Sequence, residues 1–357
     1  MNITLVVLLA ATALTPSKHE FIERSRTTRA IEVLLEARSV SHDPSGRHWV
    51  YHGVKGIERE PQAAGVTEIR PNGTTWTYLA SDLLPAGSVY PGMVGQVYAV
   101  TPLTTKNFYA ATTGWIDTNR RTRNAVVFFR RDDADHLQTY SIVEMTGIGA
   151  IAAGPSDTAV VAVNDPLKNG EHHLATILDA EGNILGSLVS FEAADFARAQ
   201  DRISAVQLRQ IGKSEVAILD ETDSVVQAFR LFAPNACGLP KITPSSAPRT
   251  ARKSSEKITF SQQQLWRASV EDRGVEGEHD FPRILDFSAG IDGAITVVRM
   301  GVLEGKPRAL VSRYGHGPVR TWVSDELWRA ALIDGQGVSG IVPKAEVKEE
   351  RIEFDVE

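Results

Sequence analysis

Short apolar runs alternate with polar turns at a nearly constant step along this chain. Eighteen residues from Ile148, IGAIAAGPSDTAVVAVND, align without a gap on ISAVQLRQIGKSEVAILD from Ile203 and on VYAVTPLTTKNFYAATTG from Val97. Each copy has apolar residues at its first and fourth places and Ala at its third (Ala99, Ala150, Ala205). A polar turn follows, then a second apolar run that ends in a small or acidic residue, the pattern of two strands joined by a short loop. ILDFSAGIDGAITVVRMG from Ile284 keeps this frame with Asp292-Gly293 as its turn. ARSVSHDPSGRHWVYHGV from Ala37 is a weaker copy with Asp43-Pro44-Ser45-Gly46 as its turn.

A second hairpin pattern follows most copies: VTEIRPNGTTWTYL from Val66, AVVFFRRDDADHLQTYSI from Ala125, LATILDAEGNILGSLVSF from Leu174 and ALVSRYGHGPVRTWVS from Ala309. Two hairpins make a four-stranded antiparallel unit, and copies beginning at 37, 97, 148, 203 and 284 set an ordinary step of about fifty to sixty residues. The repeat resembles that of β-propellers, most like the six-bladed type with NHL-like repeats. The resemblance implies an all-β propeller of four-stranded antiparallel blades, six-bladed, as one domain over residues 30–357. A last blade is expected from SDELWRAALIDGQGVSGIVPKAEV at Ser324, completed by Ile352–Val356 or by Ala30–Ala37, although the latter also reads as a short helix. Neither a Trp-Asp repeat ending nor a sialidase-type Asp box is present, since Pro71 stands where the acid of such a box before Gly73–Trp76 belongs.

The frame also settles an internal echo. VAILDETDSVVQAFRLF (Val216–Phe232) looks like ATILDAEGNILGSLVSF from Ala175, with Asp220 over Asp179. In the repeat frame Asp220 instead corresponds to Asp165, both at the end of a second strand, where Asp readily begins a turn. One segment breaks the rhythm: residues 233–255, APNACGLPKITPSSAPRTARKSS, are rich in Pro, Ser and Thr, carry cationic side chains and no acid, and read as an exposed insertion inside or after the fourth blade.

Composition narrows the partners. A net charge of -6 lacks the basic footprint of a nucleic-acid binder. The apolar run Ile3–Leu14, with Ala11-Thr12-Ala13 after its core, reads as a cleaved signal peptide over 1–13 followed by a linker over 14–29, and so as export to the periplasm, the cell envelope or the medium. No later run reaches the length needed to cross a membrane, and the chain is expected to be a monomer. The one cysteine, Cys237, excludes intrachain disulfides and multi-cysteine metal sites.

Catalytic motifs are missing. GVSGI at Gly337 has a glycine one place too early for a hydrolase elbow, and no P-loop, zinc helix, EF-hand or dinucleotide fingerprint occurs. Glu276, Glu278, His279 and Asp280 hold metal-ligand chemistry but read better as a solvated acidic loop, and His172-His173 as surface histidines pointing to opposite faces of a strand. The equivalent strand-end positions are Gly114, Asp165, Asp220 and Gly301, which leaves Asp165 and Asp220 as acidic site candidates and no cofactor indicated. The reading is a binding module for a protein, peptide or glycan, with Trp76, Trp115 or Trp322 as conceivable anchors. The alternative is a metal-assisted hydrolase or lyase in the axial funnel, to which a divalent cation would belong. Limited proteolysis is expected to cut first within 233–255; resistance there while other loops are cleaved would show a packed segment.

Overall fold

The computed structural model describes residues 37–42, 47–52, 65–70, 74–93, 95–132, 136–163, 171–232, 248–253, 260–271, 277–315, 317–328, 330–334, 337–342 and 348–353. β1 (Ala37–His42), β2 (His48–His52), β3 (Gly65–Ile69) and β4 (Thr75–Leu79) make the first sheet in that order, followed by the short helix α1 (Ala80–Leu83). β5 (Gln96–Pro102), β6 (Phe108–Ile116), β7 (Thr122–Arg131) and β8 (Leu137–Glu144) make the second. β9 (Ile148–Ala153), β10 (Ala159–Val163), β11 (Glu171–Leu178) and β12 (Asn183–Glu192) make the third, and helix α2 (Phe196–Ser204) follows it. β13 (Val206–Gln210), β14 (Glu215–Asp220) and β15 (Val225–Phe232) begin the fourth sheet. The chain then makes β16 (Pro248–Thr250) and β17 (Arg252–Lys253), which join the second and third sheets, before β18 (Ser261–Ser269) completes the fourth. β19 (His279–Ala289), β20 (Ile295–Leu303), β21 (Lys306–Tyr314) and β22 (Arg320–Val323) form the fifth; β23 (Ala330–Asp334), β24 (Gly337–Val342) and β25 (Lys348–Glu353) form a three-stranded sheet.

The fold is therefore of the β-propeller class: four-stranded, mainly antiparallel blades that succeed one another along the chain. Five blades, not the expected six, carry four or more strands among the described residues. The expected sixth, from Ser324 on, has three strands among the described residues, β23 to β25. The described residues group into two compact units, one of positions up to 54, 66–77 and from 270 on, the other of 55–65 and 78–269.

In the larger unit the central strands have no polar face. AVVAV of β10 is buried at every position, and β6 from Phe108 to Trp115 likewise, as expected of strands covered on both sides. One core, holding Phe128, Val143, Ile151, Val161 and Leu178, joins the second sheet to the third; another, holding Leu174, Leu188, Ile203, Ile218 and Phe229, joins the third to the fourth. Ile203, taken from the repeat as the opening of a strand, lies instead at the end of α2, where it is buried beside Ala199. Asp195 caps that helix by accepting the N–H of Arg198 at 2.8 Å, and the strand starts at Val206. The register of the echo is as the frame requires: Asp220 ends β14, while Asp179 lies between β11 and β12.

Close approach explains one glycine and turn geometry another. In the smaller unit, a Cβ on Gly340 of β24 would run into the indole of the fully buried Trp328, so the second glycine of GVSGI makes room for the core of Leu285, Val311 and Ile333. Gly293 takes φ of 87° in the Asp292-Gly293 turn, a conformation that disfavours any side chain.

The larger unit also buries a cation. Arg131 is 4% exposed and donates from Nη1 to the hydroxyl of Tyr78 at 2.7 Å and from Nη2 to that of Tyr109 at 3.0 Å. Its guanidinium lies 5.2 Å from the Tyr109 ring, which stacks on Phe129 at 5.4 Å. The aromatic faces and hydroxyls together replace part of the hydration that burial removes. Tyr78→Phe removes one acceptor from a buried charge and is expected to cost about 1–3 kcal/mol in urea unfolding; an unchanged midpoint would mean that the hydroxyl contributes nothing.

Candidate functional site

The best-defined polar surface lies at the end of the second sheet where β6 passes to β7. Asp117 organises it. Its Oδ1 accepts the backbone N–H groups of Asn119 at 2.8 Å and Arg121 at 2.9 Å, and its Oδ2 accepts Nε of Arg123 at 2.8 Å. Arg123 also donates from Nη1 to Oε2 of Glu144 at 3.3 Å, which ties the turn to the end of β8. The N–H of Arg121, then the Arg123 guanidinium, hold the Asp117 carboxyl below the ordinary carboxylate range. The same carboxylate raises Arg123 above its ordinary value.

The loop between α1 and β5 is fastened to this turn. The N–H of Tyr90 donates to the carbonyl of Ile116 at 2.8 Å, and Arg120, held at φ of 61°, donates to the Tyr90 hydroxyl from Nε at 3.2 Å and Nη2 at 2.9 Å. The guanidinium carbon of Arg120 is 5.2 Å from the Tyr90 ring centroid. Met93, whose N–H donates to the carbonyl of Tyr90 at 3.0 Å, is 42% exposed. Tyr, Arg and Met presented together on loops that are already ordered match the composition of interface anchors.

The equivalent end of the fourth sheet carries the sequence candidate Asp220. The residue is 2% exposed, and its carboxylate accepts Nε and Nη2 of Arg202 at 3.1 and 2.5 Å and the N–H of Thr222 at 3.1 Å. Arg202 reaches Asp223 as well and lies with its guanidinium carbon 4.8 Å from the centroid of Phe191. Burial alone would lower the Arg202 pKa, but the hydrogen bond and charge of Asp220 and the charge of Asp223 raise it. Asp220 therefore begins a turn, as the repeat frame indicates, and ties α2 to the β14–β15 connection. Asp165 and Glu276 lie outside the described residues, as do Cys237 and the residues expected to form the signal peptide and linker.

Other predicted residues are dispersed. His172 is not a surface residue: it is 6% exposed and stacks on Phe191 at 5.6 Å, while His173 on the opposite face stands 3.8 Å from Glu171. His279 Nδ1 lies 2.9 Å from the carbonyl of Gly277, and its ring packs 6.1 Å from that of Phe281. Among the described residues no group of three or more His, Cys, Asp or Glu is arranged to hold a metal ion, and no helix is long and apolar enough to cross a membrane. At Gly114 a Cβ would collide with the Tyr98 hydroxyl, and at Gly301 with the carbonyl of Asp280, so both glycines serve packing. Trp115 is buried, and Trp76 and Trp322 are half-buried. The surface at Tyr90, Met93 and Arg120 was missed because its residues come from two loops without periodicity. The sequence hints are the aromatic and methionine of VYPGM and, separately, the arginine-rich turn TNRRTRN.

No protein-family description and no curated protein matches the chain. Solved structures with a similar course include BamB from Moraxella catarrhalis, at 9% identity and a TM-score of 0.32 over 85% of this chain and 93% of that one. Hsv2 from Kluyvelomyces marxianus is 7% identical with a TM-score of 0.32 over 65% of this chain, which spans 61% of that structure. A glucose dehydrogenase is 10% identical with a TM-score of 0.38 over 90% of this chain and 97% of that one.

Asp117 supplies a pH-dependent test. Because its folded pKa lies below the unfolded value, its carboxylate stabilises the fold above the ordinary carboxylate range, near pH 4, and this contribution disappears as pH falls through the lowered value. Asp117→Asn is expected to lower the melting temperature at pH 7, with the difference from the unmodified chain closing as pH falls below the ordinary carboxylate range. A gap that stays constant with pH would remove the carboxylate's charge from the explanation.

Proposed function

We propose that the chain is a binding module, acting in the cell envelope or outside the cell, that engages a protein, peptide or glycan partner through the loop end of its blades. The observation that carries this reading is the pre-ordered surface of Tyr90, Arg120 and Met93. Arg120 and Tyr90 are already fixed on one another, so a partner meets an aromatic–cation platform without the entropic cost of ordering it. Exposed Met93 adds a deformable apolar contact beside it. A Tyr–Arg–Met surface favours protein or peptide over glycan. The apolar run Ile3–Leu14 supports export. The scaffold itself is neutral between binders and enzymes, so the reading rests on the surface and not on the fold.

A photo-crosslinking side chain at position 93 in cells expressing the full chain is expected to give discrete adducts in the envelope or secreted fraction. The same side chain at His136, 81% exposed in its side chain and away from this surface, is expected to give none. Equal adducts from both positions, or none from position 93, would remove the loop end as the binding surface.

A further inference from the structure

The segment that interrupts the fourth blade runs back along the edges of its two predecessors. β16 lies parallel to β8, pairing Pro248 with Ile142, Arg249 with Val143 and Thr250 with Glu144. β17 then lies parallel to β12, pairing Arg252 with Asn183 and Lys253 with Ile184. Between them the N–H of Ala251 donates to the carbonyl of Glu144 at 3.3 Å, and Ala251 packs on the core that joins the second and third sheets. Further on, the N–H of Phe260 donates to the carbonyl of Leu185 at 3.0 Å, and the Phe260 side chain enters the core between the third and fourth sheets.

β8 and β12 are the last antiparallel strands of their sheets, and their outer rows of backbone groups can take an added strand. The edge is shaped and charged for one kind of strand. The β11–β12 turn closes beside it: a Cβ on Gly182, at φ of 84°, would stand 3.4 Å from Val143 and 3.7 Å from the carbonyl of Thr250. Asp179 and Glu181 bring two carboxyls to this turn, and the charge of Arg249 acts on Glu181 against the effects of burial and of Asp179. The occupant, Pro-Arg-Thr-Ala-Arg-Lys, is extended, basic and small where it meets the core.

We propose that the outer edges of β8 and β12 form a strand-addition site for an extended basic segment of a partner protein, and that residues 248–253 occupy it within the chain. The contact is made to be exchanged: it consists of two short parallel pieces, the weaker kind of pairing. Its occupancy depends on tethering, which holds a linked segment at an effective concentration in the millimolar range. A partner segment of the same chemistry displaces it when its own local concentration is comparable. This inference rests on the reading of the chain as a binding module but uses a surface other than Tyr90, Arg120 and Met93. Crosslinking at position 93 and occupation of this edge can therefore fail independently.

The test uses the full chain carrying Arg249→Glu and Ala251→Pro, which reverse the charge facing Glu181 and remove the N–H given to Glu144. A fluorescent peptide of residues 246–255, SAPRTARKSS, is titrated and followed by anisotropy. It is expected to bind this variant at least tenfold more tightly than the unmodified chain. The same peptide with both arginines replaced by Glu is expected to bind the variant at least tenfold more weakly. No binding to a variant whose circular dichroism is unchanged, or equal binding of the two peptides, overturns the proposal. On the unmodified chain, millimolar SAPRTARKSS is expected to speed amide hydrogen exchange across 248–253, and exchange that does not change overturns it as well.

Discussion

Every open β-sheet ends on a strand whose outer N–H and C=O groups have no partner within it, and that constraint organises the larger unit of this chain. The second and third sheets end on β8 and β12, and the chain returns after β15 to lay β16 and β17 along them before supplying β18 to the fourth sheet. One stretch thus serves three sheet edges in succession. Its composition is compatible with this because a strand added at an edge need not be apolar. It needs only backbone groups to pair, with a small residue such as Ala251 where the core comes close.

A second constraint follows from burying both faces of the central strands. Polar groups caught in such a stack must be matched locally. Arg131 is met by the hydroxyls of Tyr78 and Tyr109, and Asp220 by Arg202 and the N–H of Thr222. These groups look like chemistry in a list of residues, yet each is engaged in joining one element to another: Arg202 carries α2 onto the turn after β14, and Asp117 with Arg123 carries the β6–β7 turn onto β8. The same bonds hold in place the turn on which Arg120 meets Tyr90.

Much of the fold was legible. The copies from Val97 and Ile148 coincide with β5–β6 and β9–β10, and the second hairpins from Val66, Ala125, Leu174 and Ala309 with β3–β4, β7–β8, β11–β12 and β21–β22. This works because a strand's burial is written into adjacent residues. Ile203 shows the limit: an apolar residue at the right place in a repeat fits the last turn of an amphipathic helix as well as the first position of a strand. His172 shows another, since nothing in its neighbours says that Phe191 on the next strand will cover it.

The sequence by itself determined the class of the fold, the hairpin frame, the turn at Asp292-Gly293 and the role of Asp220 in beginning a turn, all of which depend on residues a few positions apart. The tertiary structure alone decided the number of complete blades, the return of 248–253 to the edges of β8 and β12, and the meeting of Tyr90 with Arg120. The physical reason is the range of the interactions. Burial periodicity and turn chemistry are local and leave a pattern, whereas strand addition at an edge uses backbone groups that every residue possesses, and a contact between two loops follows no period at all.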